Sequence, residues 1–485
     1  MAHARITTFA FAGIEALPVE VQVQLSSGLP TFVLVGLADK AVGESRERVR
    51  AALTAIGLSL PSRRIVVNLS PADLAKEGSH YDLPIALGLL AAMELLPADE
   101  LAGFAAMGEL SLEGAINPVP GILPAALGAS ARNLGLICPA AQGAEAAWAG
   151  RVQVLAPTDL PALLNHMRGR QLLPQPAPPD LAAPTPGPCM AEVVGQESAK
   201  RALEVAAAGS HNILLTGPPG AGKTMLAARL AGLLPPLTPG QALEVSAIYS
   251  VAGLLREGRL MTQAPFRAPH HSASQAALVG GGPRARPGEI SLAHHGVLFM
   301  DEWPEFPRPA LEALRQPMEA GTASIARANA HITWPARFLC VAAMNPCRCG
   351  MLGDGGRECS KAPRCGEEYQ ARLSGPLLDR MDMAIAVQPI AHAEMLRAPR
   401  SEPSAHIAAR VVAARAMAQA RRVSAADTLS APARTLAEAA AEKLGLSSRG
   451  FLRAIGVARS IADLAGQDAI ERAHVAEALS YRRRA

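Results

Sequence analysis

The sequence predicts an α/β protein in three parts, and three observations carry that reading. A proline-dense stretch at 173–188 (LPQPAPPDLAAPTPGP) cuts the chain in two. Beyond it, short apolar runs alternate with helical segments around a glycine-rich turn at 217–224, the pattern of a parallel sheet. From about residue 393 the chain is alanine-rich and helical in its spacing to the end. The expected division is therefore an N-terminal α+β domain at 1–170, a linker at 171–190, an α/β core at 191–392 and a helical domain at 393–485.

In the first part, residues 20–25 (EVQVQL) alternate and residues 64–69 (RIVVNL) are β-branched, so both are strands. Residues 44–55 have helical spacing with one charged side, and residues 84–95 read as a buried helix. Proline at the density of the linker neither continues a helix nor joins a central strand, so the segment is extended. The second part opens with a helix at 196–208. Strands follow at 212–216, 296–300 and 338–344, and a helix at 225–233. Residues 321–334 read as a β-hairpin turning at 327–330. The tail carries helices at 406–422, 431–444, 448–465 and 471–481.

Composition narrows the function classes. Of 485 residues, 49% are apolar and 18% charged, which excludes wholesale disorder. Forty-six Lys and Arg against 42 Asp and Glu leave +4, so any surface that binds nucleic acid must be local. At 3% aromatic residues, a dense base-stacking platform is excluded. The most apolar run, 83–96, is too short for a membrane span and contains Glu94. The N-terminus has no convincing cleavage site, and seven cysteines do not make a disulfide scaffold. A cytoplasmic protein with reduced thiols is expected.

The turn Gly217, Pro218, Pro219, Gly220, Ala221, Gly222, Lys223, Thr224 is G-x-x-x-x-G-K-[ST] between a strand and a helix. Glycines let backbone N–H groups curl round phosphate oxygens, and the new helix aims its positive end at the same anion. Lys223 can reach the β- and γ-phosphates, and the Thr224 hydroxyl can ligate Mg²⁺. The strand at 296–300 ends in Asp301, which would hold Mg²⁺ through water, and Glu302, which would polarise the attacking water. ATP and Mg²⁺ are the expected cofactors. Asn345, closing the strand at 338–344, orients that water or senses the γ-phosphate, or simply makes an Asn-Pro turn. Cys347, Cys349, Cys359 and Cys365 lie close in sequence. They can close a tetrahedral Zn²⁺ site or be plain reduced thiols in a loop. Cys138, Cys189 and Cys340 read as packing or linker residues.

Six phrases carry a resemblance: VGLADKAV at 35–42, VNLSPAD at 67–73, PFRAPHH at 265–271, PGEISLAH at 287–294, AMNPC at 343–347 and LSGPLLDR at 373–380. With them, the chain resembles the ComM/YifB group of magnesium-chelatase-like AAA+ ATPases. The resemblance implies an N-terminal Lon-protease/S5-like α+β domain, an AAA+ P-loop core with a parallel sheet, and a C-terminal helical lid. It implies a hexameric ring with each ATP site shared between neighbours, and a DNA helicase or branch-migration motor acting on single-stranded or branched DNA in natural transformation. Asn345 then matches sensor 1 and Arg380 the arginine finger supplied in trans. Arg449, in SSRGFLR at 447–453, matches sensor 2, with Arg453 the second choice. The alternatives are a motor for metal insertion into a tetrapyrrole and an ATP-switched scaffold that turns over little.

The Lon resemblance raises proteolysis as a rival. Lon-type proteases use a Ser–Lys dyad, but here His80 stands where the serine belongs in KEGSH at 76–80. PVPGILP at 118–124 lacks the lysine. The domain is therefore expected to be a non-proteolytic scaffold. Within the AAA+ branch, residues 267–282, with Arg267, His270 and His271, can line a central pore or brace the interface or the nucleotide pocket. Arg327 at the hairpin turn is a candidate DNA contact.

Overall fold

The protein is described by a computed structural model, which covers residues 2–181, 187–282, 286–327, 330–352, 359–390 and 401–482. Residues 182–186 of the linker and the hairpin turn at 328–329 lie outside the described residues, as does the side chain of Arg327.

The N-terminal part is built on β1 (Ala2–Ala12) and β2 (Glu15–Ser26), which pair antiparallel along their whole length from Ala2 opposite Leu25 to Ala12 opposite Glu15. Val21, Val23 and Leu25 of β2 are buried and Gln22 and Gln24 exposed, the alternation that made the segment legible. β3 (Thr31–Val35), α1 (Lys40–Ala55) and β4 (Arg64–Ser70) follow. Then come α2 (Asp82–Ala92), β5 (Phe104–Ala106), α3 (Ile122–Ser130), β6 (Gly135–Ile137) and β7 (Val154–Leu155). They complete a seven-stranded sheet in the order β3-β4-β2-β1-β5-β6-β7. Every residue of α2 is buried. It approaches the β1–β2 face so closely that a Cβ on Gly88 would meet Val23 Cγ2 at 2.7 Å. β1, the five-residue β3 and the two- and three-residue strands escaped the sequence reading. β1 is masked by its mixed composition, and the two- and three-residue strands are shorter than any period-2 signal.

The second part has the helix α4 (Glu197–Gly209) and the strand β8 (Ile213–Thr216). The helix after the glycine turn, α5 (Lys223–Leu230), opens two residues earlier than its apolar pattern suggested. After α6 (Pro239–Ala252) come β9 (Phe266–Arg267), β10 (Val297–Met300), the hairpin β11 (Thr322–Arg327) and β12 (Ala330–Pro335), and β13 (Leu339–Met344). The segment closes with α7 (Arg364–Gln370) and β14 (Met383–Ala386). β9, β10, β13, β8 and β14 form one parallel sheet in that spatial order.

Both faces of its middle strands β10, β13 and β8 are buried, which is why these read as unbroken apolar runs; the edge strands β9 and β14 are partly exposed and were not read from the sequence. Ile213 and Leu215 face one core and Leu214 the other. The first core is completed by the C-terminal helices α8 (Ser404–Ala420), α9 (Ala431–Lys443), α10 (Ser448–Leu464) and α11 (Arg472–Ser480), through Ile407, Val411, Val457 and Ile461. No helix among the described residues is long and apolar enough to cross a membrane.

The two halves touch through α6. Gly121 N–H donates to the Ser250 carbonyl at 3.0 Å, and Trp148 Nε1–H to the Gly258 carbonyl at 2.8 Å. The Ser250 hydroxyl donates to buried Glu145 at 2.5 Å.

Candidate nucleotide site

Three strands of the parallel sheet run side by side and end together, so the loops that leave β8, β10 and β13 meet at one edge. In open α/β sheets this carboxyl edge is where ligands bind. The loop after β8 is the glycine turn. Gly220 and Gly222 adopt φ of +78° and +91°, which side chains other than glycine rarely tolerate. Gly217 packs under the Val387 carbonyl with no room for a Cβ. A concave run of backbone directly precedes the first turn of α5, as a bound phosphate requires.

Side chains from the other two loops close on it. Lys223 Nζ donates to the carbonyls of Gly217 at 2.7 Å and Pro218 at 2.9 Å, and to Asn345 Oδ1 at 3.1 Å. Burial lowers its pKa, and the charges of Asp301 and Glu302 oppose that shift. The Thr224 hydroxyl donates to Asp301 Oδ2 at 2.8 Å. A hydroxyl and a carboxylate at that separation suit one octahedral Mg²⁺, so the residues fit the metal, with Thr224 and Asp301 as its holders. Glu302 N–H donates to Asp301 Oδ1 at 2.9 Å, and its φ of +50° turns the Glu302 side chain out of the strand direction.

The carboxylate of Glu302 has a neighbour. His271 Nδ1 lies 3.2 Å from Glu302 Oε2, and the His270 and His271 rings lie 4.1 Å apart, tilted at 34° to each other. Of the roles open to this segment, this contact fits bracing of the nucleotide pocket. Arg267 is held by Glu289 at 2.6 and 2.7 Å.

Arg380 and Arg449 are not brought to this site. The Arg380 carbonyl accepts from Asn212 Nδ2 at 3.0 Å, which fixes it at the amino edge of β8. The strand's own length, about 13 Å, separates that edge from the glycine turn. The Arg380 guanidinium is held by Glu319 Oε1 at 2.9 Å and by the carbonyls of Arg315 and Pro376 at 2.8 and 2.5 Å. Arg449, largely exposed, lies 3.6 Å from the same Glu319 oxygen. Arg453 Nε is 3.5 Å from Asp382 Oδ1. The three arginines thus sit toward the amino edge of the sheet, away from the glycine turn. Glu319, which gathers two of them, carries no sequence signal that would have singled it out.

The four sulfurs of Cys347, Cys349, Cys359 and Cys365 converge within 4.8 Å of one another. In the N-terminal domain, Ser79 Oγ donates to Glu109 and Lys76 Nζ to the Pro71 carbonyl. His80 is buried, with Nε2 2.9 Å from the Phe9 carbonyl.

A strand–glycine turn–helix, an acidic strand end and a polar sensor-type residue on one parallel sheet, followed by a helical domain, define a P-loop ATPase of the AAA+ class. Comparison with known families and proteins places it further. Residues 189–395 match the family "Magnesium chelatase, subunit ChlI", residues 21–142 "Subunit ChlI of Mg-chelatase", and residues 401–482 "Magnesium chelatase, subunit ChlI C-terminal". The chain is 42% identical to YifB of Salmonella typhimurium over 99% of this chain and 97% of that protein. It is 42% identical to YifB of Escherichia coli over 98% and 96%. It is also 42% identical to the competence protein ComM of Haemophilus influenzae over 99% and 98%. The chain belongs to the ComM/YifB family of magnesium-chelatase-like AAA+ proteins.

Proposed function

We propose that this protein is a cytoplasmic, ring-forming ATPase that couples ATP hydrolysis to remodelling of single-stranded or branched DNA, as a helicase or branch-migration motor. The observation that carries the shared-site part is the placement of Arg380 and Arg449 at the sheet edge opposite Lys223. Residues of that type serve a triphosphate only if a neighbouring protomer presents them, and closed rings, a hexamer here, repeat such a heterologous contact. The DNA substrate is supported by the likeness to a protein named for competence.

Within each site, Thr224 and Asp301 hold the Mg²⁺, which neutralises charge on the phosphates when bound. Lys223 exchanges its loop carbonyls for phosphate oxygens, and Asn345 fixes its ammonium from the other side. Glu302 accepts the proton of the attacking water, and His271 sets the direction in which that carboxylate points. Arg380 leaves Glu319 to reach the next protomer's site.

The N-terminal domain is read as a Lon/S5-like scaffold rather than a protease. Ser79 and Lys76 each engage another partner, so they do not form a dyad in this arrangement.

The family description favours one alternative, a motor for metal insertion into a tetrapyrrole. ATP turnover measured with forked and four-way DNA, and separately with a porphyrin, distinguishes them. Stimulation by DNA together with ATP-dependent strand exchange supports the DNA motor. Stimulation by porphyrin alone, or by neither, contradicts it.

A further inference from the structure

We propose that Cys347, Cys349, Cys359 and Cys365 form a structural Zn²⁺ site that braces the phosphate loop. The four Sγ atoms all lie within 4.8 Å of one another, and those of Cys347 and Cys349 are 3.2 Å apart. A tetrahedral ion with bonds of about 2.3 Å to sulfur sets its ligands about 3.8 Å apart, inside that spread. A polynuclear iron–sulfur cluster would hold its thiolates farther apart, so the packing selects a single ion; zinc is the usual occupant of a closed four-thiolate structural site, and a mononuclear iron is the competitor that the elemental analysis separates. Cys347 is fully buried and Cys359 nearly so, while Cys365 is half-buried and Cys349 exposed, so an ion held there would be largely shielded from water yet reachable from the Cys349 side.

The site lies where it can act on the nucleotide loop. Cys347 follows Asn345 by two residues. The turn closed by Gly350 N–H donating to the Cys347 carbonyl at 2.9 Å presses directly on the glycine turn. A Cβ on Gly350 would meet Pro219 Cδ at 2.5 Å. On the other side, Cys365 sits on α7, whose Tyr369 is anchored in the core beneath the sheet. One ion therefore ties the exit of β13 to α7 and fixes the wall against which Pro219 rests. The metal assignment stands independently of the ATPase reading, and only the bracing role refers to it.

The test begins with elemental analysis of the full chain, purified without metal-affinity resin. One zinc per chain is expected. Cys349→Ser, at an exposed position that the fold does not need, and Cys365→Ser should each lose it, while Cys189→Ser retains it. Refilling the stripped protein with Co²⁺ should give the visible d–d and near-ultraviolet charge-transfer bands of a tetrahedral thiolate site. Zinc absent from the parent, iron in its place, or zinc surviving in Cys349→Ser and Cys365→Ser would overturn the site. Amide hydrogen exchange at residues 217–222 should speed up when the ion is removed. Unchanged exchange there would overturn the bracing role, whatever the ATPase rate does.

Discussion

Glu302 and its neighbours carry the chemistry at the scale of single residues. On the proposed reading Glu302 does not hold phosphate: Lys223 and the glycine backbone face that anion, while Thr224 and Asp301 lie together where Mg²⁺ would sit. Glu302→Gln should therefore leave ATP affinity intact and lower turnover by about 10²-fold or more, the usual worth of a general base. Equilibrium binding of a fluorescent ATP analogue beside steady-state phosphate release checks both halves, and retained turnover would refute the role. Among the described residues of the site, His271 pairs with the Glu302 carboxylate, so His271→Ala should lower kcat by less than Glu302→Gln does and leave KM unchanged. A rise in KM with kcat intact would mean that His271 serves binding instead. The sequence named Lys223, Thr224, Asp301, Glu302 and Asn345 because each follows a strand by a fixed spacing. It could not choose between the roles open to His271, since the contact spans 31 positions of chain and depends on how the segment from Arg267 folds back over β10.

At the scale of elements, legibility followed burial. The three middle strands of the parallel sheet, β8, β10 and β13, and the helix α2 are buried almost throughout, so their apolar runs announced them, whereas the partly exposed edge strands β9 and β14 gave no such signal. β5, β6 and β7 are only two or three residues long and owe their existence to neighbours already in place. The contact between α6 and the N-terminal domain was equally hidden. Its centre is one carboxylate, Glu145, which accepts from Ser250 Oγ, Leu123 N–H and Gln142 Nε2. Burial raises its pKa, and those three donors hold the rise back. An acid whose folded pKa exceeds its unfolded value binds its proton more tightly in the fold, so stability falls as pH rises from the unfolded pKa through the folded one. Glu145→Gln carries no such proton. Its melting temperature should fall less than the parent's as pH is raised from about 4 to 7. Identical pH profiles for the two proteins would show that Glu145 is not the coupling group.

At the scale of the whole molecule, the division of labour between the two edges of one sheet decides the mechanism. One edge holds Lys223, Thr224, Asp301, Glu302 and Asn345; the other holds Arg380, Arg449 and Arg453. On the proposed reading a single chain carries both halves of a catalytic site on opposite edges of one sheet, and a neighbouring protomer joins them. The most direct test mixes two inactive variants, Arg380→Ala, which keeps an intact acidic edge, and Glu302→Gln, which keeps an intact basic edge. At interfaces where an Arg380→Ala protomer supplies the phosphate loop and a Glu302→Gln protomer supplies the arginine, the site is whole. ATP turnover should therefore reappear on mixing and peak near equal amounts, while each variant alone stays low by about 10²-fold or more. Turnover that stays at the level of the separate variants at every ratio, in mixtures shown to exchange subunits, would contradict the shared site.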